Sequence, residues 1–226
     1  MTTARQTDAR PVLLFDIDGT VLDSAPGIVR SLRAAMTDVG LAPASEEQLR
    51  SDLGPPPGIM LAGVGVPEHL IQDGVIAYRR RYQQAGMDDA DVFDGIADTL
   101  TVLGAAYRLA TATMKLVDTA TEFLDRHRLR DHFELIGGAR NGVFEKAAII
   151  AETRSRLGSP AAENMIMIGD RHSDITGGRL NGLGTIAVTW GYGSRAELES
   201  AEPDVMVDRP DELVEAVSRL LAHALA

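Results

Sequence analysis

Short runs of apolar residues recur along the 226-residue chain and constrain its fold more than any other feature of the sequence. Each run is nearly continuous rather than alternating with polar residues, which is typical of strands covered on both faces of a parallel sheet. Stretches with the period of a helix lie between the runs, so the pattern predicts an α/β fold with a doubly wound parallel sheet. The predicted strands are Val12–Phe15, Leu109–Thr113, Met165–Ile168, Thr185–Thr189 and Val205–Val207.

One long segment interrupts this alternation. Between about Ala25 and Asp91 no convincing strand can be recognised, and the helical patterning is broken by the loop Gly54–Gly58. We therefore predict that residues 25–91 form a small all-α domain inserted into an α/β core domain. The core domain would consist of residues 1–24 and 92–226.

The composition of the chain excludes several classes of function. The formal net charge is −11, so the protein should repel nucleic-acid phosphates, and we expect no binding to nucleic acid. The absence of cysteine excludes disulfides, thiolate metal sites and cysteine nucleophiles. We also expect a cytoplasmic protein without a membrane partner, because we find neither a secretory signal nor a long apolar stretch. The sequence leaves open whether the protein is a monomer or a homodimer.

Two acidic residues directly follow the first predicted strand. Asp16 and Asp18 stand two positions apart, so their side chains point to the same side if extended geometry persists, and Gly19 then permits a sharp turn. One carboxylate of such a pair can attack phosphorus while the other moves a proton, and both can approach a metal. A bare pair is equally compatible with an ordinary turn, but the longer string Asp16–Ser24 is much more specific.

A second acidic string follows the predicted strand Met165–Ile168. There the strand leads into Gly169 and Asp170, and Asp174 follows four positions later. Hard oxygen ligands gathered at the end of a strand suit Mg²⁺, which needs only a few protein carboxylates. A helix cap is the alternative role for Asp174.

In their order along the chain, these strings resemble the motifs of haloacid dehalogenase superfamily hydrolases, specifically phosphoglycolate phosphatase-like members. The resemblance implies that Asp16 is the nucleophile and that Asp18 is the general acid and base. The transferring phosphoryl group would be held by Thr113, the backbone N–H of Met114, and Lys146. The family usually has Asn or Ser where this chain has Met114, so a polar contact is lost there. Thr111 and Lys115 are rival candidates for two of these roles.

The same resemblance implies a Mg²⁺ cofactor. The carboxylates of Asp16 and Asp170 and the backbone carbonyl of Asp18 would bind the ion directly, and Asp174 would act through a water molecule. The inserted helical segment would be a C1-type cap. It enters directly after the first motif, so its connections would lie beside the nucleophile.

The predicted function is a Mg²⁺-dependent phosphatase that acts on a small phosphorylated metabolite through an aspartyl-phosphate, with phosphoglycolate as the leading substrate candidate. Three alternatives stay open: a nucleoside 5′-monophosphate phosphatase, a sugar phosphomutase, and a catalytically silent binding module on this fold. The presence of Asp16, Asp18, Lys146 and Asp170 together argues against the silent module. We expect no catalytic role for the histidines, including His172 in the variable part of the last motif.

Overall fold

The computed structural model describes residues 8–51, 53–140 and 142–224. Its strands are β1 (Val12–Phe15), β2 (Leu22–Asp23), β3 (Asp91–Val92), β4 (Arg108–Thr111), β5 (Thr113–Leu116), β6 (Gly138–Ala139), β7 (Met165–Gly169), β8 (Gly184–Val188) and β9 (Val205–Val207). Its α-helices are α1 (Ala25–Asp38), α2 (Glu46–Arg50), α3 (Pro57–Gly63), α4 (Glu68–Gln84), α5 (Ile96–Ala106), α6 (Val117–Arg126), α7 (Lys146–Arg156), α8 (His172–Leu180), α9 (Arg195–Ser200) and α10 (Glu212–Ala224). Short 3₁₀ helices span Gly86–Asp89, Arg130–His132 and Ala162–Asn164.

A five-stranded sheet in the order β4-β1-β7-β8-β9 forms the centre of the molecule, and all of its neighbouring strands are parallel. Alternate residues of β1 face opposite sides. Leu13 and Phe15 belong to the apolar cluster that includes helices α5, α6 and α10, whereas Val12 and Leu14 pack in the cluster with α7. Because both faces are covered, the strand has no polar alternation. The predicted doubly wound α/β fold is thereby confirmed.

The predicted strand Leu109–Thr113 is wrong at its carboxyl end, because the chain changes pairing partner there. Strand β4 ends at Thr111, where its pairing with β1 stops. Ala112 still donates its N–H to the carbonyl of Phe15 at 2.8 Å, but Thr113 donates to the carbonyl of Gly137 at 3.2 Å. A second ladder, β5 with β6, therefore starts one residue after β4 ends.

The segment between β2 and β3 is helical. Helices α1 and α4 pack against each other, and α3 packs on α4. Helix α1 also lies close to the 3₁₀ helix Gly86–Asp89, since a Cβ added at Gly27 would lie 1.9 Å from the carbonyl oxygen of Gly86. The antiparallel pair of β2 and β3 joins the two ends of the segment, with Leu22 opposite Val92 and Asp23 opposite Asp91. Within the described part of the chain, no helix combines the length and apolarity needed to cross a bilayer.

Candidate active site

The ends of three adjacent strands bring the acidic strings together. In the register of the sheet, Phe15 at the end of β1 lies opposite Thr111 of β4 and Ile168 of β7. The carboxyl ends of these parallel strands therefore share one edge of the sheet, the usual location of active sites in this architecture. Asp16 follows β1, and its backbone N–H donates to the carbonyl of Ile168 at 2.9 Å. Asp170 follows β7 directly.

Lys146 links two of the predicted acidic residues. It is the first residue of α7 and is almost fully buried. Its Nζ lies 3.1 Å from Oδ1 of Asp16 and 2.6 Å from Oδ1 of Asp174, and it donates to the carbonyl of Ala112 at 2.9 Å. Burial alone lowers the pKa of this ammonium, but Asp16 and Asp174 raise it more, so the pKa lies above its usual range. Lys146 is therefore a fixed positive charge beside Asp16.

Asp170 is completely buried at the same edge of the sheet. Its Oδ1 accepts a hydrogen bond from the hydroxyl of Thr20 at 2.8 Å, and its Oδ2 accepts from the backbone N–H of Tyr192 at 2.7 Å. Glycines enclose it, and a Cβ added to Gly19 or Gly191 would come within 2.3 Å of an Asp170 side-chain atom. Only the absence of side chains at these positions leaves room for the carboxylate.

Asp16, Asp170 and Asp174 form a buried cluster in which one carboxylate oxygen from each lies within 4.8 Å of the others. Burial raises the pKa of Asp16, with further increases from Asp174 and Asp18 that Lys146 opposes. Burial also raises the pKa of Asp170, with further increases from Asp174 and Asp16. Lys146 supplies only one positive charge to this cluster, so a bound cation would relieve the remaining repulsion.

The donor set of this cluster fits Mg²⁺. The ion prefers carboxylate oxygen and retains several water molecules, so it does not need a complete cage of protein ligands. Oδ1 of Asp16 and Oδ1 of Asp174 face Lys146, but neither accepts a hydrogen bond of good geometry from the described residues. Both oxygens thus keep ligand capacity. The backbone N–H of Arg171 donates to the other oxygen of Asp174 at 3.0 Å, so Asp174 also caps helix α8.

Asp18 lies outside this cluster, and its carboxylate has different partners. The hydroxyl of Ser24 donates to Oδ1 of Asp18 at 2.5 Å, and Nζ of Lys115 lies 3.0 Å from Oδ2. The sequence left Lys115 and Lys146 as alternative candidates for one phosphoryl-binding role. In the structure, Lys115 contacts Asp18, whereas Lys146 contacts Asp16. Asp16 and Asp18 are two residues apart, yet one faces the acidic cluster and the other faces the inserted helices.

The two threonines of the second motif also have different surroundings. The hydroxyl of Thr111 donates to the carbonyl of Gly137 at 2.8 Å and holds β4 against the following chain. The hydroxyl of Thr113 accepts only the backbone N–H of Lys115, at 3.2 Å, among its described contacts, and therefore still has a proton to donate. This difference favours Thr113 over Thr111 as a phosphoryl ligand. The half-buried side chain of Met114 packs against the cluster on the α7 face of the sheet.

A cavity of about 110 Å³ lies between the inserted helices and the core, and Asp18 and Lys115 are part of its wall. The remaining wall is mostly apolar and includes Met60, Met114 and the loop Gly54–Pro57. The loop Gly54–Pro57 and Asp18 thus line the same cavity.

Tyr192 is a residue of the site that the sequence analysis did not identify. Its backbone N–H holds Asp170, and its hydroxyl accepts from the backbone N–H groups of Ser24 at 2.7 Å and Ala25 at 2.9 Å. It therefore joins a candidate metal ligand to the first residue of helix α1. Nothing in the sequence Gly191-Tyr192-Gly193 indicates where this hydroxyl points. His172 is largely exposed and contacts Glu197 at 2.9 Å, away from the acidic cluster.

Known proteins are similar to this chain over most of its length. The sequence model for "Haloacid dehalogenase-like hydrolase" matches residues 13–188. Tyrosine-protein kinase PtkA of Mycobacterium tuberculosis is 36% identical over 91% of this chain and 72% of that protein. A 5′-nucleotidase of Pseudomonas aeruginosa is 34% identical over 85% of this chain and 89% of that protein. A phosphoglycolate phosphatase of Aliivibrio fischeri is 26% identical over 87% of this chain and 92% of that protein.

Solved structures resemble this fold closely. A haloacid dehalogenase-like family hydrolase from Streptococcus pneumoniae superimposes with a TM-score of 0.87 and 29% sequence identity, covering 92% of this chain and 98% of the other.

Proposed function

The chain belongs to the haloacid dehalogenase-like hydrolases, and we propose that it is a Mg²⁺-dependent phosphatase that hydrolyses small phosphomonoesters through an aspartyl-phosphate on Asp16. Relatives with phosphatase names support a phosphoric monoester hydrolase. The observation that carries the detailed proposal is the ion pair of Asp16 with buried Lys146 beside the carboxylates of Asp170 and Asp174.

In the first step, a carboxylate oxygen of Asp16 attacks phosphorus. The bond from phosphorus to the leaving oxygen breaks, and Asp18 supplies a proton to that oxygen, so the alcohol departs neutral. The fixed charge of Lys146 stabilises the phosphoryl oxygens as negative charge develops on them. The hydroxyl of Thr113 is free to donate a hydrogen bond to the same group.

In the second step, water attacks phosphorus while Asp18 takes up one of its protons. The bond between phosphorus and Asp16 breaks, inorganic phosphate leaves, and the Asp16 carboxylate is regenerated. The two acids need different environments for these roles, since one must remain an anion and the other must carry a proton in turn. In the structure the two acids have separate partners, Lys146 beside Asp16 and Ser24 with Lys115 beside Asp18.

Mg²⁺ fits this site through Asp16, Asp170 and Asp174 and, by family resemblance, the carbonyl of Asp18. When bound, it would supply positive charge that stabilises the phosphoryl oxygens in the transition state. We also propose that residues 25–91 act as a cap over the cavity, with the core made of residues 1–24 and 92–226. A cap of this kind would exclude bulk water during the first step.

The chemistry can be tested by trapping the intermediate. With a ³²P-labelled aryl phosphate and Mg²⁺, acid quenching should give labelled wild-type protein, and Asp16→Asn should remain unlabelled and inactive. Asp18→Asn should retain label longer, because the second step lacks its base. A folded Asp16→Asn protein with unchanged kcat would refute the proposal. Asp94→Asn provides a control, since this acid lies outside the cluster and outside the cavity wall.

Among small phosphomonoesters, phosphoglycolate leads by resemblance and nucleoside 5′-monophosphates follow. Each substrate class corresponds to the name of one relative, and the nucleotidase is the more similar of the two, at 34% against 26% identity. A panel of phosphorylated metabolites ranked by kcat/KM would decide between them. Replacement of the loop Gly54–Gly58 should change this ranking more than it changes turnover of an activated aryl phosphate. An unchanged ranking would remove the loop from the substrate site.

Transfer of the phosphoryl group from Asp16 to a phenolic hydroxyl is a second candidate function. It is favoured by the similarity to a protein named as a tyrosine kinase and by the apolar wall near Met114. The same first step would operate, with a tyrosine oxygen replacing water in the second. Incubation of the labelled intermediate with a tyrosine peptide would transfer label to the peptide. Release of inorganic phosphate alone would favour the hydrolase.

A further inference from the structure

Lys115 connects the inserted helices to the acid that moves protons. Its Nζ lies 3.0 Å from Oδ2 of Asp18 in the core and donates to the hydroxyl of Tyr82 in helix α4 at 3.1 Å. Only 8% of the Lys115 side chain is exposed. The ammonium also lies 4.7 Å from the ring centre of Tyr82 and 4.8 Å from that of Phe123.

The aromatic surroundings make the position of this cation depend on both parts of the molecule. A buried ammonium that loses water is stable only where anions, hydrogen-bond acceptors or ring faces replace that water. Asp18 and Phe123 supply part of this replacement from the core. Tyr82 supplies both a hydroxyl and a ring face from the inserted helices, so Lys115 has its full set of contacts only while α4 lies against the core.

The orientation of Asp18 depends on the same contacts. Ser24 donates to Oδ1, and Lys115 contacts Oδ2, so each oxygen of the carboxylate has its own partner. Removal of either partner would allow the carboxylate to rotate about its terminal torsion, which is broad for Asp. General acid catalysis requires the proton to lie within hydrogen-bond reach of the leaving oxygen.

We propose that Lys115 is a positioning residue that orients Asp18 for proton transfer and is itself held in place by Tyr82 of the inserted helices. The proposal rests on the proposed function, because it assumes that Asp18 acts as the general acid. Contact between α4 and the core thereby becomes a condition for efficient protonation of the leaving group. Direct binding of substrate by Lys115 and a purely structural role are the competing explanations.

The test compares two substrates that differ in their need for a proton. An alkyl phosphate has a poor leaving group that requires the general acid, whereas 4-nitrophenyl phosphate has a good leaving group that requires little protonation. Tyr82→Phe removes one hydroxyl and retains the ring. This variant should lower kcat for the alkyl phosphate about tenfold, which is part of the roughly 10²–10⁴-fold contribution that a general acid makes. It should change kcat for the aryl phosphate less than about twofold.

Two further variants make the test specific. Lys115→Met should produce a larger loss with the same preference for the alkyl substrate, and Lys115→Arg should restore part of it. Tyr107→Phe is the control for the loss of a tyrosine hydroxyl, because Tyr107 lies outside the wall of the cavity and its hydroxyl has no hydrogen bond among the described residues, so the ratio of the two activities should not change. In an Asp18→Asn background, Tyr82→Phe should have no additional effect on the alkyl substrate, as expected for residues that act in one chain of contacts.

The outcomes separate the explanations. Equal losses with both substrates would show a structural role, and a higher KM with unchanged kcat would show that Lys115 binds substrate. Either result would overturn the proposal, as would wild-type behaviour of Tyr82→Phe. Failure of the proposed function is distinguishable, because wild-type protein with Mg²⁺ would then hydrolyse neither phosphate ester.

Discussion

Replacement of Tyr192 by Phe should destabilise the protein through the loss of a single hydroxyl group. This hydroxyl accepts hydrogen bonds from the backbone N–H groups of Ser24 and Ala25 and donates to Oδ1 of Asp23 at 3.2 Å. Those N–H groups lie at the start of helix α1, where no helical carbonyl is available to accept them. Ser24 itself has no side-chain cap bond to the helix.

The size of the destabilisation depends on which backbone N–H groups lose their hydrogen-bond acceptor in the variant. Ala25 keeps a bond to Oδ1 of Asp23 at 3.2 Å, but the described contacts of the Ser24 N–H include no acceptor besides Tyr192. Ser24 and Ala25 are almost fully buried, which limits replacement by water. One unsatisfied buried donor costs about 1–3 kcal/mol. At about 2 kcal/mol, the melting temperature of a chain of this size should fall by roughly 4–8 °C.

Thermal unfolding followed by circular dichroism would measure this change, with urea unfolding as a second measurement. Tyr107→Phe is the control, because the Tyr107 hydroxyl has no hydrogen bond among the described residues, and its effect should stay within about 0.5 kcal/mol. The backbone N–H of Tyr192 remains in the variant, so its bond to Asp170 and the stabilisation by Mg²⁺ should persist. A melting temperature within about 1 °C of wild type would show that the Tyr192 hydroxyl does not satisfy these buried donors.

Other predictions concern the metal, pH and packing. Mg²⁺ at a hundred times its Kd should raise the free energy of unfolding of the wild type by about 2.7 kcal/mol. The same concentration should stabilise the Asp170→Asn variant much less. Thermal melting with and without Mg²⁺, with EDTA in the reference sample, would measure both effects. In the metal-free protein, burial and neighbouring carboxylates raise the pKa of Asp170 from 3.8 to about 8. Asp170 therefore loses its proton at a lower pH in the unfolded chain than in the folded protein. Between pH 3.8 and about 8, the free energy of unfolding of the metal-free protein should fall as the pH rises. A urea midpoint that does not change over this range would contradict the prediction. Gly27→Ala should cost about 1–3 kcal/mol, because its Cβ would lie 1.9 Å from the Gly86 carbonyl oxygen. Gly104→Ala should stabilise helix α5 by up to about 1 kcal/mol, because the atom nearest to the new Cβ is Leu109 Cδ1 at 3.6 Å. Equal changes in the urea midpoint for Gly27→Ala and Gly104→Ala would contradict the packing argument.

The sequence alone determined the parallel sheet, because burial of both strand faces leaves a nearly continuous apolar run. The family resemblance in the sequence also implied that Asp16 and Asp170 would meet at one metal ion, and both residues follow predicted strands of the parallel sheet. The register of β1 with β7 has these ends side by side. These features depend on local pattern and on a general rule of topology, so no tertiary contact had to be known.

Which partner each polar side chain contacts depends on how distant segments pack together. The sequence contains no signal that Lys115 contacts Asp18 while Lys146 contacts Asp16, and it left Thr111 and Thr113 as alternative candidates. It was also wrong about the end of β4, because the ladder between β5 and β6 forms with residues far along the chain. Tyr192 reaches Ser24 across 168 positions of sequence. Such contacts depend on side-chain direction and on how distant segments pack, and neither quantity is encoded in the local period of the sequence.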